Sequence, residues 1–162
     1  MRQLADLEIT LQQLISEHRK LLAQLDAQQA AMTQFRLSDI EDLTHQQEAT
    51  RLRITTLENR RRGIVQQIMK LARLSEEPTM LRLAELYPTR KEPLMKLRSE
   101  LRQVTEQIAV RGHVAGRLAG AVLGHLNTVV RLMASAVERA GVYTKDGVPQ
   151  VSARIGVMEA VG

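Results

Sequence analysis

The sequence predicts an all-α fold: an elongated antiparallel bundle or coiled coil of three long helices, with a short helical break and a mobile C-terminal tail. Three observations carry that expectation. Apolar residues recur at alternating spacings of three and four along most of the chain, which is the seam of a heptad repeat. Neither glycine nor proline interrupts residues 1–62. The apolar fraction, 44% of 162 residues, is nearly all Leu, Ile, Val, Met and Ala, because aromatics make up only 2%. An aliphatic chain rich in Leu, Gln, Glu and Arg favours long helices. The helices are expected at about 2–35, 39–74 and 93–140, in one domain of 1–141 followed by a tail at 142–162.

The first seam reads Leu4, Leu7, Leu11, Leu14, His18, Leu21, Leu25, Gln28, Met32 and Phe35. The residues between are mostly Gln, Glu, Arg, Lys and Ala, which sustain helix. The seam thins at Gln28, where Ala27, Ala30 and Ala31 supply little bulk. Ser38-Asp39-Ile40-Glu41 then predicts a restart through a capping box, with Ser38 and Glu41 satisfying each other's amides and the acidic residues suiting a helix N-terminus. Whether 35–37 is a tight turn or nearly continuous helix stays open.

The second seam runs Ile40, Leu43, Gln47, Thr50, Ile54, Leu57, Arg61, Ile64, Ile68 and Leu71. A helix over 39–74 would be about 54 Å long. The polar seam residues Gln47, Thr50 and Arg61 are expected to set register or to snorkel rather than to form a site. Ser75-Glu76-Glu77-Pro78-Thr79 predicts a break. Leu81, Leu83 and Leu86 suggest a short helical piece ended by Tyr87-Pro88-Thr89, and Pro93 fits the first turn of the next helix.

The third seam starts with Leu94, Leu97, Leu101, Val104 and Ile108. It continues through Arg111, Ala115, Leu118, Val122, His125, Val129, Leu132 and Ala136, and Gly141 is a plausible stop. Past Gly112 the charges thin out and Gly112, Gly116, Gly120 and Gly124 recur on one stripe, at a propensity cost of about 4 kcal/mol relative to alanine. A second apolar row appears beside the seam: Ala119, Leu123, Leu126, Val130, Met133 and Val137. Two readings follow. Either the segment is core, with the glycines admitting a neighbouring helix closely, or only the seam packs internally and the second row awaits a partner's amphipathic helix. Beyond Gly141, Asp146-Gly147 marks a turn in the short, mixed tail.

Composition excludes several function classes. With no cysteine there is no disulfide framework, thiol nucleophile or Cys-based zinc site. Three aromatic side chains leave almost nothing on which to stack bases. Lys and Arg number 23 against 18 Asp and Glu, a net charge of +5. Residues 1–77 hold 11 of each sign, and 78–162 hold 12 and 7, so the excess sits in the second half. Arg60, Arg61 and Arg62 form the only basic run, beside Glu58, and read as a solvated helix face; no nucleic acid is expected. The start, Met1-Arg2-Gln3-Leu4-Ala5-Asp6, is too charged for a signal core, and Arg117, His125, Asn127 and Arg131 argue against a membrane span, so a cytoplasmic protein is expected.

Catalytic chemistry is not evident. His18, His113 and His125 lack a second His or carboxylate three or four residues on, and His45 has near it only carboxylates of its own helix, Glu41, Asp42 and Glu48; His18 and His125 are expected as buried or edge residues of their seams. The glycine series lacks the strand and lysine of a phosphate loop, and no acid, base and nucleophile converge. The expectation is a non-enzyme with no metal and no cofactor.

One resemblance joins these features. Asp42-Leu43, Gln46-Gln47-Glu48, Leu57-Glu58-Asn59-Arg60-Arg61 and Ile64 follow a long first helix. A Leu-rich break, a second long helix, and then Val142-Tyr143 and Asp146-Gly147 come after. In this order, over about residues 4–150, the chain resembles the FlgN-like family of flagellar type III export chaperones. The resemblance implies a mainly helical, non-catalytic protein. It would bind flagellar hook-associated (hook–filament junction) proteins in the cytoplasm through their terminal helices, prevent premature assembly, and deliver them to the export apparatus. It places cargo contact in the chaperone's C-terminal part. Within that part, the apolar row nominates Leu118, Leu123, Leu126, Val130, Met133 and Val137. The other reading is a non-enzymatic structural or adaptor coiled coil whose heptads pair as a homodimer, since three long helices can close within one chain or between two.

Overall fold

The computed structural model describes residues 2–142. Helix α1 spans Arg2–Thr33, α2 Leu37–Ala72, α3 Met80–Leu86 and α4 Lys91–Val142, with a 3₁₀ turn at Pro88–Arg90 leading into α4. Every regular element among the described residues is helical. The three long helices lie where the heptad seams put them, and the break contains the short α3. The expected mobile tail lies outside the described residues, except for Val142 at the end of α4. The chain divides into two compact units, Met1–Ala119 and Gly120–Gly162.

In the first unit, the pairings give the helix directions. Glu17 meets Arg53 at 2.9 Å, Gln24 meets Gln47 at 3.4 Å and Gln28 meets Thr44 at 2.9 Å. As one number rises the other falls, their total staying near 71, so α1 and α2 form an antiparallel hairpin. Against α4 the relation is reversed. Glu8 meets Arg90 at 3.3 Å, Arg19 meets Glu100 at 2.9 Å and Asp26 meets Arg111 at 3.2 Å. These numbers rise together at an offset of roughly 83, so the first part of α4 runs parallel to α1 and antiparallel to α2.

Most of the apolar mass lies where α1 begins. Leu4, Leu7, Leu11 and Leu14 of α1 pack with Ile64, Val65 and Ile68 of α2, and with Leu94 and Leu97 of α4. Helix α3 adds Leu83 to this cluster. Its N-cap, Thr79, accepts the Arg82 amide at 3.1 Å, which satisfies an otherwise orphaned donor of a seven-residue helix. A second, smaller cluster joins Leu21 and Leu25 to Ala115.

Polar positions of the α1–α2 interface lie beside and beyond the smaller cluster. Gln24, Gln28, Gln47 and Thr50 are buried. Gln47 Nε2 donates to Gln28 Oε1 at 3.0 Å, and Gln28 Nε2 donates to Thr44 Oγ1 at 2.9 Å. Thr50 Oγ1 donates to the Gln46 carbonyl at 3.0 Å and accepts from Arg53 at 2.9 Å. Buried amides of this kind fit one pairing register and are left unsatisfied in another. Arg61, the remaining polar seam residue, is half-buried and donates to Glu58 at 3.0 Å.

The turn between α1 and α2 corrects the expected capping box. The Phe35 amide donates to the Met32 carbonyl at 3.2 Å and the Arg36 amide to the Ala31 carbonyl at 3.0 Å. With Phe35 at φ 52°, this is a Schellman closure of α1. Arg36 already accepts from the Ile40 amide at 3.1 Å, so α2 begins at Leu37 and Ser38 falls inside it. The N-cap Arg36 makes no side-chain capping bond; its guanidinium pairs with Asp39 instead. A Schellman closure also ends α2, with Arg73 at φ 51° and the Leu74 amide donating to the Met69 carbonyl at 3.0 Å. Neither left-handed residue is a glycine.

The second seam also stops earlier than its spacing suggests. Leu71 is 66% exposed, because the α1–α2 register places it level with a point before Arg2, where α1 has no residue left to cover it.

Candidate functional site

Helix α4 is 52 residues long, about 78 Å at the usual rise. Its first part is anchored in the first unit by Leu94, Leu97, Val104 and Ala115, all buried. Later in the helix the side chains are mostly exposed. Of the six nominated residues, Leu123, Val130, Met133 and Val137 are 62–65% exposed, while Leu118 and Leu126 are half-buried.

These side chains share a face. At 100° per residue, Leu126, Val130, Met133 and Val137 fall within a narrow arc, and Leu123 lies at one margin. Asn127, Arg131 and Glu138 occupy the opposite side. The second unit of the chain therefore carries an amphipathic helix with large aliphatic groups in solvent.

The seam itself behaves differently from its expected role here. Val122 is buried, but Val129 is 38% and Leu132 64% exposed, and Ala136 and His125 are exposed too. The expectation of a packed seam with His125 at a buried or edge position is thus corrected beyond Val122. Val129 and Leu132 join the apolar face, with Leu132 about 180° from Leu123. Their sequence signal is the seam itself, whose spacing is the same for internal packing and for an exposed face. His18 does sit at a bundle edge, half-buried, with Nδ1 2.7 Å from the Leu14 carbonyl oxygen.

The glycine stripe does not admit a close neighbour. A Cβ added at Gly112, Gly116, Gly120 or Gly124 would meet nothing within 4 Å. The close helix approach invoked by the core reading is therefore not made among the described residues.

Two further properties bear on chemistry. No three His, Asp or Glu among the described residues gather closely enough to hold a metal ion. Helix α4 is long and apolar enough to cross a membrane by length and composition, with only 6% of the relevant window buried. The uncharged stretch between Arg117 and Arg131 is shorter than the ~20 apolar residues a span needs, and a partner-binding face produces the same composition.

Fold and surface together define an all-helical bundle that ends in an amphipathic helix. The family model described as FlgN protein matches residues 1–150. The chain belongs to the FlgN family, whose members are flagellar type III export chaperones that bind flagellar hook-associated proteins; it is a chaperone family, not an enzymatic one. Comparison with curated proteins and with solved structures gave no match.

Proposed function

We propose that this chain holds a hook–filament junction protein in the cytoplasm by seating one of its terminal amphipathic helices on α4, against Leu118, Leu123, Leu126, Val130, Met133 and Val137. The cargo is kept from assembling early and is passed to the flagellar export apparatus. The observation that supports this reading is the exposure of Leu123, Val130, Met133 and Val137 on one helical face. A cargo helix built for self-assembly carries an apolar stripe that aggregates in water. Covering that stripe removes apolar surface from solvent on both partners, worth roughly 25 cal/mol per Å² before ordering costs.

The discriminating experiment is co-purification of hook-associated cargo with Leu126→Asp/Val130→Asp. Loss of cargo with helicity nearly unchanged supports the assignment, and intact binding refutes it. The second reading, a homodimeric structural or adaptor coiled coil, predicts a stable dimer at low micromolar concentration without cargo affinity, which sedimentation separates from the first.

A further inference from the structure

We infer that residues 148–158 of the same chain fold back on α4 as an amphipathic helix and cover Val130, Met133 and Val137 until cargo displaces them. The contact lies within the second unit of the chain. That cargo is the displacing partner rests on the function proposed above; the contact itself does not.

The face is the first observation. Val130, Met133 and Val137 share one arc of α4 and are largely exposed, so no described residue covers them. Single exposed aliphatic residues are ordinary, but three on successive turns of one helix form a patch of the kind that takes a partner.

The sequence after α4 supplies a matching stripe. Val148, Val151, Ile155 and Met158 are spaced by three, four and three, which is one face of a helix. Gln150, Ser152, Arg154 and Glu159 fall off that face. Pro149 suits a first helical turn, and Asp146-Gly147 before it is a turn signal. Every regular element among the described residues is helical, so no sheet edge is there to take the segment as a strand.

The two stripes match when read in opposite directions. From Val137 the face steps by four to Met133 and by three to Val130; from Val151 the segment steps by four to Ile155 and by three to Met158. One antiparallel register therefore pairs Val137 with Val151, Met133 with Ile155 and Val130 with Met158. Each pair is centred on residue 144, two residues past the end of α4 at Val142, where the chain would have to reverse.

Tethering selects this occupant. Only residues 143–147 separate α4 from the stripe, and so short a linker holds it at roughly millimolar effective concentration. A second copy at micromolar concentration would have to bind about 1,000-fold tighter to compete. Gly156 and the shortness of the segment make it a poor helix by itself, so it orders only against the face. A cargo helix that also reaches Leu123 and Leu126 gains contacts the segment lacks, and displaces it.

The chain has no cysteine, so introduced cysteines report alone in the full-length protein. Adding Val151→Asp/Ile155→Asp is expected to speed maleimide labelling of Met133→Cys about 10-fold and to leave that of Leu123→Cys unchanged. Met133→Cys/Ile155→Cys is expected to close an intramolecular disulfide under mild oxidation, and Leu123→Cys/Ile155→Cys is not. Equal labelling with and without the Asp substitutions overturns the proposal, as does equal cross-linking of the two pairs. Protection of Met133→Cys that grows with protein concentration gives the face to a second copy and overturns it too. With a hook-associated protein as ligand, Val151→Asp/Ile155→Asp in the otherwise unchanged chain is expected to bind about 10-fold tighter. Weaker binding would make the segment part of the cargo site and overturn the displacement. If neither form binds cargo, the cargo reading and the displacement fail together, while labelling and cross-linking still decide the contact.

Discussion

Gln47 donates to Gln28 at 3.0 Å across the buried α1–α2 interface, and Gln28 passes the chain on to Thr44 at 2.9 Å. The two amides meet at one register of the hairpin. A slip by one heptad would set Gln28 against Ile54 or Ile40 in place of Gln47 and break the amide pair. Replacing Gln47 with Ala removes the donor and leaves the Gln28 oxygen buried. The expected loss is about 1–3 kcal/mol in urea denaturation. Replacing both by Leu recovers most of that loss but relaxes the register, so sedimentation is expected to show mixed association states. One homogeneous species in the double variant would show that the pair does not fix the pairing.

The contrast between Leu7 and Leu123 tests the division between core and face. Leu7 is 0% exposed within the larger core cluster, so Leu7→Ala is expected to destabilise by about 3 kcal/mol. Leu123 is 62% exposed, so Leu123→Ala is expected to stay within about 0.5 kcal/mol. Thermal or chemical denaturation of the free chain measures both. A large loss at Leu123 would mean that its face is covered internally.

Space around the glycine stripe makes a prediction opposite in sign to the core reading. Since an added Cβ meets nothing within 4 Å, Gly116→Ala, Gly120→Ala and Gly124→Ala are each expected to stabilise helix by about 1 kcal/mol. Circular dichroism of the triple variant is expected to show higher helicity and a higher melting temperature. If a neighbouring helix used the stripe, the added methyl groups would instead lower both.

Arg73 ends α2 in a left-handed conformation, φ 51°, which costs a non-glycine residue roughly 1–2 kcal/mol. Glycine removes that strain but adds freedom to the unfolded chain, about 0.5–1 kcal/mol. Arg73→Gly is therefore expected to stabilise by about 0.5–1 kcal/mol in a urea titration. A destabilised variant would show that the Arg73 side chain contributes contacts that outweigh the backbone term.

The heptad spacing made the helices legible to within a few residues, because an unbroken alternation of three and four has no other regular solution. It also marked Gln28 and Gln47 as exceptions worth explaining. The turn at Phe35 and the stop at Arg73 were not legible, since a Schellman closure is normally advertised by glycine and neither position has one. The exposure of Leu71 was not legible for a related reason: periodicity says which side of α2 is apolar, but not where the partner helix begins. The candidate face on α4 shows the same limit. Leu123, Val130 and Met133 were recognisable as a row, while Leu132 continued a seam. An i, i+3, i+4 pattern is written identically for a buried stripe and for one facing a partner, so exposure of Val129 and Leu132 could only come from coordinates.

The near-constant offset between α1 and α4 restricts where this chain can change length. One residue inserted between Lys91 and Ala119 rotates everything after it by about 100°, and four residues still leave an error of about 40°. Either would turn Val104 or Ala115 away from α1, whereas a whole heptad nearly restores the phase. The exposed stretch Ser75–Glu77 lies between the α2 stop and the Thr79 cap and takes part in neither helix phase. Extra residues there alter only the loop-closure entropy, by roughly 0.6 kcal/mol per doubling of loop length. It is the natural seat for an epitope tag or a protease site that leaves both helix pairings in register.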